Sequence, residues 1–125
     1  MEDEVSLFDS TGNAVAYIAE DDTIYMWSGM PVVYLEEGSG DASSIYGFNG
    51  LHLGWFVAGI VRDHSGLRVG GVCGAIGSST KFTPFKGFKQ FKPFKSFKQS
   101  APSRPSLSSQ WASQSFEAFL HQGRE

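Results

Sequence analysis

Among side chains able to carry protons, bind metal or attack an electrophile, the chain offers His52, His64, His121, Cys73 and many serines. The three histidines share no spacing that gathers metal ligands, and Asp63-His64 reads as an acidic turn residue beside a polar one. Catalysis needs an oriented partner for each acid or base, and no such pairing is written in the order of residues. A Ser–His–Asp set can be drawn from so many serines that it discriminates nothing. Cys73 lies in a Gly-rich apolar stretch without a nearby base, which suits an inert small hydrophobe. As the single cysteine it permits no internal disulfide and no cysteine-rich zinc site. The expectation is a non-enzymatic chain with no catalytic residue, no metal and no cofactor.

The aromatic residues say more. Tyr17, Tyr34 and Trp55 each stand five residues after a glycine, and Gly71 stands at the fourth equivalent place. Three rings and one vacancy about an axis would line a pocket entrance. The competing reading, which the sequence favours, makes them core residues or seats for another segment, because rings that bury well and keep a polar handle serve either use. Tyr25, Trp27, Tyr46 and Phe48, on the strands entering the turns, carry the same ambiguity.

From residue 82 to 98 phenylalanine recurs at every third position, as Phe82, Phe85, Phe88, Phe91, Phe94 and Phe97, mostly followed by lysine. A step of three scatters side chains around an α-helix and alternates them across a strand. A polyproline II helix has three residues per turn and stacks all the rings along one edge, and Pro84 and Pro93 suit it. The arm is expected to lay its rings in a groove of the preceding domain, on its own or a neighbouring subunit. Interleaved bases and rings also describe single-strand nucleic-acid binders and anionic membrane contacts. The acidic body places both behind the packed arm, so no specific nucleic acid and no membrane are expected as partners. At ~3.1 Å per residue the arm reaches ~47 Å, beyond the roughly 28 Å diameter of a domain of about 75 residues. It must therefore curl around its own domain or cross to another, and self-association by crossing is the expectation.

Four glycine-anchored units precede the arm, centred on Gly12, Gly29, Gly50 and Gly66. Five residues before each glycine stands Leu7, Ile24, Ile45 or Val61; three after it stands Val15, Val32, Leu53 or Val69. Six after it comes Ile18, Leu35, Phe56 or Val72. Each unit has the form of a hairpin, with the glycine supplying a turn that needs positive φ. A lone hairpin is marginal in water, so the four must bury one another's apolar faces. The fold class is all-β: four Gly-turn β-hairpin repeats around a pseudo-four-fold axis, then a polyproline-II-like Phe/Lys arm and a short docking segment. The divisions read as residues 1–76 for the hairpin domain, 77–98 for the arm, 99–110 for a linker and 111–125 for a C-terminal apolar segment. In that last segment Ser113 is the candidate cap of a short helix bearing Phe116, Phe119 and Leu120.

Charge divides the same way. Residues 1–80 hold eleven acidic side chains against Arg62 and Arg68, a balance of −9, and residues 81–125 balance at +6. An acidic body and a basic arm suit a chain that sticks to itself or its copies. The acidic start at Met1-Glu2-Asp3-Glu4 has no apolar run behind it, and no stretch approaches the ~20 apolar residues of a membrane span, so a cytoplasmic place is expected.

The hairpins, with the strings Ser44-Ile45-Tyr46-Gly47-Phe48-Asn49-Gly50 and His52-Leu53-Gly54-Trp55-Phe56 and the triplet tail, resemble the four-fold β-flower family of bacterial proteins. The resemblance covers roughly residues 5–72 and more loosely the tail. It implies four petals about a pseudo-four-fold axis and carries over no catalytic residue. Unit four departs most, at Arg62 and Gly71. The chain is also similar, more weakly, to products of bacterial mobile gene cassettes. Two functions follow: an oligomeric interaction or scaffold protein with the tail as assembly element, or a small-molecule-binding module built on Tyr17, Tyr34 and Trp55.

Overall fold

In a computed structural model that describes residues 4–38, 40 and 42–124, the four repeats close into one barrel. The acidic start at Met1, Glu2 and Asp3, and Ser39 and Asp41 of the polar break after the second petal, lie outside the described residues. The strands are β1 (Val5–Phe8), β2 (Ala14–Ile18), β3 (Thr23–Met26), β4 (Pro31–Glu37), β5 (Ala42–Gly47), β6 (His52–Val57), β7 (Ile60–Arg62) and β8 (Arg68–Gly71). All pairings are antiparallel between chain neighbours, and Phe8 opposite Gly71 closes β1 onto β8. No sheet edge is left open among them.

The four petals share one construction. Each hairpin carries a register shift at the same place, between Leu7 and Phe8, Ile24 and Tyr25, Ile45 and Tyr46, and Val61 and Arg62. Bulges there add twist and help a short sheet curl shut. Each turn is tied by the glycine N–H donating to the carbonyl three residues back, from Gly12 to Asp9, Gly29 to Met26, Gly50 to Gly47 and Gly66 to Asp63. The Asp9 and Asp63 carboxylates also accept backbone N–H bonds from Thr11 and Asn13, and from Ser65 and Leu67.

The interior is filled by the residues five before each turn glycine, Leu7, Ile24, Ile45 and Val61, all fully buried. With them pack Ala16, Val32, Val33 and Val69, and the helix α1 (Phe116–His121), whose Phe116, Phe119 and Leu120 plug the barrel. Gly70 is small for this reason: a Cβ there would lie 2.4 Å from the Phe116 ring. The N-cap of α1 is Ser115, whose hydroxyl accepts from the Ala118 N–H at 3.0 Å, not Ser113 as the sequence suggested. Beyond the helix, Gly123 rests against Gly47, and the Asn49 side chain donates to the Gln122 carbonyl.

Candidate functional site

The arm wraps its own barrel, and it does so by backbone. Residues 79–108 form no helix or strand, yet their N–H groups reach each turn in order: Lys81 to the Gly12 carbonyl, Gln90 to Gly29, Gln99 to Gly50 and Ser108 to Gly66. Two further donations, Gly87 to Trp27 and Ser96 to Phe48, hold the second and third petals. The carbonyls of Ser79, Phe88, Phe97 and Ser106 press onto the four turn glycines so closely that a Cβ on Gly12 would lie 1.9 Å from Ser79 O. Contacts therefore recur every nine residues, one set per petal. The segment 99–110, read as linker, is in contact as well: Gln99 donates to Gly50, accepts from the Tyr46 hydroxyl at 2.8 Å, and takes the His52 N–H on its Oε1.

The face the arm turns inward is the reverse of the expected one. All six phenylalanines are 96–102% exposed, so the rings lie in no groove. Lysines face the barrel instead. The Nζ of Lys86 stands 5.1 Å over the Tyr17 ring, Lys89 5.5 Å over Tyr25, Lys95 4.2 Å over Tyr34 and Lys98 5.5 Å over Tyr46. The reason is chemical. Tyr17 and Tyr25, and Tyr34 and Tyr46, are cross-strand pairs at the seams between petals, on the side away from the interior cluster. A ring face attracts a cation through its quadrupole, and a carboxylate beside it adds a charge partner that another ring could not use. Lys86 and Lys89 bond Glu4, Lys92 bonds Asp21 at 2.6 Å, and Lys98 bonds Glu36. The Lys86 and Lys89 bonds hold the Glu4 carboxyl below its ordinary range, and the carboxylate partners raise Lys89, Lys92 and Lys98. Burial pushes the Tyr17, Tyr25 and Tyr34 phenols upward.

Tyr17, Tyr34 and Trp55 do not meet at an axial pocket. They are buried in three separate clusters, one at each of three seams. The fourth place, Gly71, is no vacancy either, because Ile76 and Ile60 pack against it and a Cβ would lie 2.7 Å from Gly59 O. Arg62, the other departure of unit four, binds the arm: its guanidinium donates to the Gly66 and Ser108 carbonyls.

The third seam is different. There Trp55 opposes Arg62, and a cleft of about 310 Å³ opens between Gly38, Ala42, Ser44, Trp55, Ala101 and Arg104. Behind it lie two histidines that sequence reasoning left apart. His52 Nδ1 is 3.0 Å from His64 Nε2, and His52 Nε2 is 3.2 Å from Ser44 Oγ. The two rings are within 4° of parallel with centroids 5.2 Å apart, close to one such N···N contact plus two ring radii. They therefore lie edge to edge in line, joined by an N–H···N bond, rather than face to face. His52 is 2% exposed, and burial first, then the His64 charge, lowers its pKa to about 4. Register would have found this set: Ser44 opposes Trp55 across the third hairpin, with His52 on the same strand as Trp55, and His64 begins the next turn. His121 ends α1, and Cys73 is exposed. Among the described residues, no three His, Cys, Asp or Glu side chains gather as metal ligands, and no helix is long and apolar enough to cross a membrane.

A model of a family described as 4-fold beta flower protein matches residues 5–120. No curated protein and no solved structure matches the chain.

Proposed function

This chain belongs to the 4-fold β-flower family, and from that premise we propose that it is a non-enzymatic assembly protein whose phenylalanine edge binds a second copy of itself. The observation that carries the proposal is the arm's inverted order, with its backbone fixed to every petal and all six rings fully in solvent. A side chain left in water on a fixed backbone is an unmet surface. Burying an aromatic ring removes about 150–250 Å², so six offer on the order of 1,000 Å² per chain. That sum compares with the ~800 Å² each partner contributes to a standard interface. An identical ladder is the fitting occupant, because rings at a shared period of three can interleave with copies of themselves.

The arm's chemistry disfavours the other partners. Strand binders and anionic membranes need rings and cations on one accessible face. Here Lys86, Lys89, Lys92 and Lys98 turn away from the rings and are engaged by Glu4, Asp21 and Glu36. A binding rather than catalytic role is supported by His52, which a pKa near 4 makes a poor proton acceptor at neutral pH.

Light scattering of the full chain at micromolar concentration tests the reading. The expected result is a homo-oligomer that the triple variant Phe85→Ser, Phe91→Ser, Phe94→Ser converts to monomer without a change in Tm, since those rings touch nothing in their own chain. A monomeric wild type, or a variant that stays assembled, overturns it. Deleting residues 81–125 is a poor substitute, because it also removes the plug formed by Phe116, Phe119 and Leu120.

A further inference from the structure

The third seam follows the pattern of the others until its charges are compared. Relative to each turn glycine and the arm carbonyl pressed on it, equivalent places can be read off directly. Lys86 belongs to Tyr17 and Lys95 to Tyr34; the arm residue nine further on is Arg104, and the ring is Trp55. A cation and a ring thus stand at the equivalent places, and both line the cleft. The carboxylate is not kept. Lys92 pairs with Asp21, eight residues before Gly29. The same two places at the third petal are Ala101 and Ala42, and both line the cleft. Two small side chains replace one ion pair, and the space they leave is the cleft.

We propose that this cleft is a binding site for a small carboxylic acid with an apolar body, and that the ligand supplies the carboxylate the third seam lacks. The volume of about 310 Å³ stands at the low end of small-molecule sites. Arg104 has no carboxylate partner among the described residues, and its guanidinium can take a carboxylate in two parallel bonds. The apolar body fills the room between Ala42, Ala101 and the Trp55 ring. Ser44, half-buried on the cleft wall, adds a donor. With His52 Nε2–H donating to Ser44 Oγ and His64 Nε2–H donating to His52 Nδ1, the Ser44 hydroxyl hydrogen is free to reach a ligand oxygen. Arg104 is the one charged side chain among the residues that line the cleft. The inference is independent of assembly through the phenylalanines, which lie on the other face of the arm.

Calorimetry with benzoate as probe and benzamide as its neutral counterpart tests this on the full chain. Saturable benzoate binding in the millimolar range or tighter is expected, at least tenfold stronger than benzamide. Arg104→Gln should lose at least tenfold. The double variant Ala42→Asp, Ala101→Lys rebuilds the ion pair of the second petal in the third, so it should fold with an equal or higher Tm and bind no benzoate. Absence of benzoate binding by the wild type, equal binding of benzamide, or undiminished binding by either variant overturns the proposal.

Discussion

The carbonyl of Phe88 lies so close over Gly29 that a Cβ on the glycine would stand 1.8 Å from its oxygen. The arm and the turn thus touch main chain to main chain, at a residue whose φ of +99° already favours glycine. Gly29→Ala should release the arm from the second petal. Gly74→Ala provides the control, because Gly74 has a φ of +90° and nothing within 4 Å of its would-be Cβ. Backbone strain is common to both variants, whereas expulsion of the arm belongs to the first alone. Trypsin should cut at Lys86 and Lys89 several-fold faster in Gly29→Ala than in Gly74→Ala. Equal rates would mean that the arm is held elsewhere.

Protonation of His52 works against the fold. Its native pKa of about 4 is below the ordinary histidine value of 6.5, so between those pH values the unfolded chain binds the proton and the native chain does not. This contribution to stability is complete above pH 6.5 and is lost as pH falls toward 4. Its size is on the order of 3 kcal/mol at most, since a tenfold difference in proton affinity is worth about 1.4 kcal/mol. Denaturant titrations at pH 7.5 and pH 4.5 should show the loss in the wild type and a smaller one in His52→Gln. Glu4, Asp9 and Asp21, whose carboxyls are also held low, give up their contributions lower in the acid range. Identical pH slopes for the two proteins would remove His52 from the account.

Phe119 is 1% exposed inside the barrel, on a helix of only six residues that propensity alone cannot sustain. Phe119→Ala should therefore cost about 3–5 kcal/mol, the range for emptying a ring's space in a packed core. The measurement is the midpoint of denaturant unfolding. A loss below about 1 kcal/mol would show that the helix rests on the barrel without filling it.

The hairpins were legible because each is specified locally, by a turn glycine and by Leu7, Ile24, Ile45 and Val61 at a fixed distance from it. The triplet period likewise announced that the arm has distinct edges. It did not say which edge faces inward. That choice belongs to the barrel, whose seams already present Tyr17, Tyr25, Tyr34 and Tyr46 beside carboxylates and so select lysine. Residues 99–110 looked unattached because their phenylalanines stop at Phe97, although the main-chain bonding continues through Gln99 to Ser108. The pairing of His52 with His64 crosses two strands and a turn, and without strand register nothing joins them.

The nine-residue recurrence along the arm also decides how it can be misplaced. Phenylalanine and lysine repeat every three residues, so a slide of three would put rings over rings and amines over amines. Those two ladders alone would leave the arm free to ratchet. The third member of each triplet blocks this, because it changes with the longer period: Pro84, Gly87, Gln90, then Pro93, Ser96, Gln99. Gly87, Gln90, Ser96 and Gln99 all give their N–H to a petal, and the prolines, which have none to give, fall at the places where none is taken. A slide of three in either direction brings Pro84 and Pro93 onto petals that require a donor. The prolines thus act as the teeth of a key, refusing the slides of three and six that the strap's visible pattern would accept.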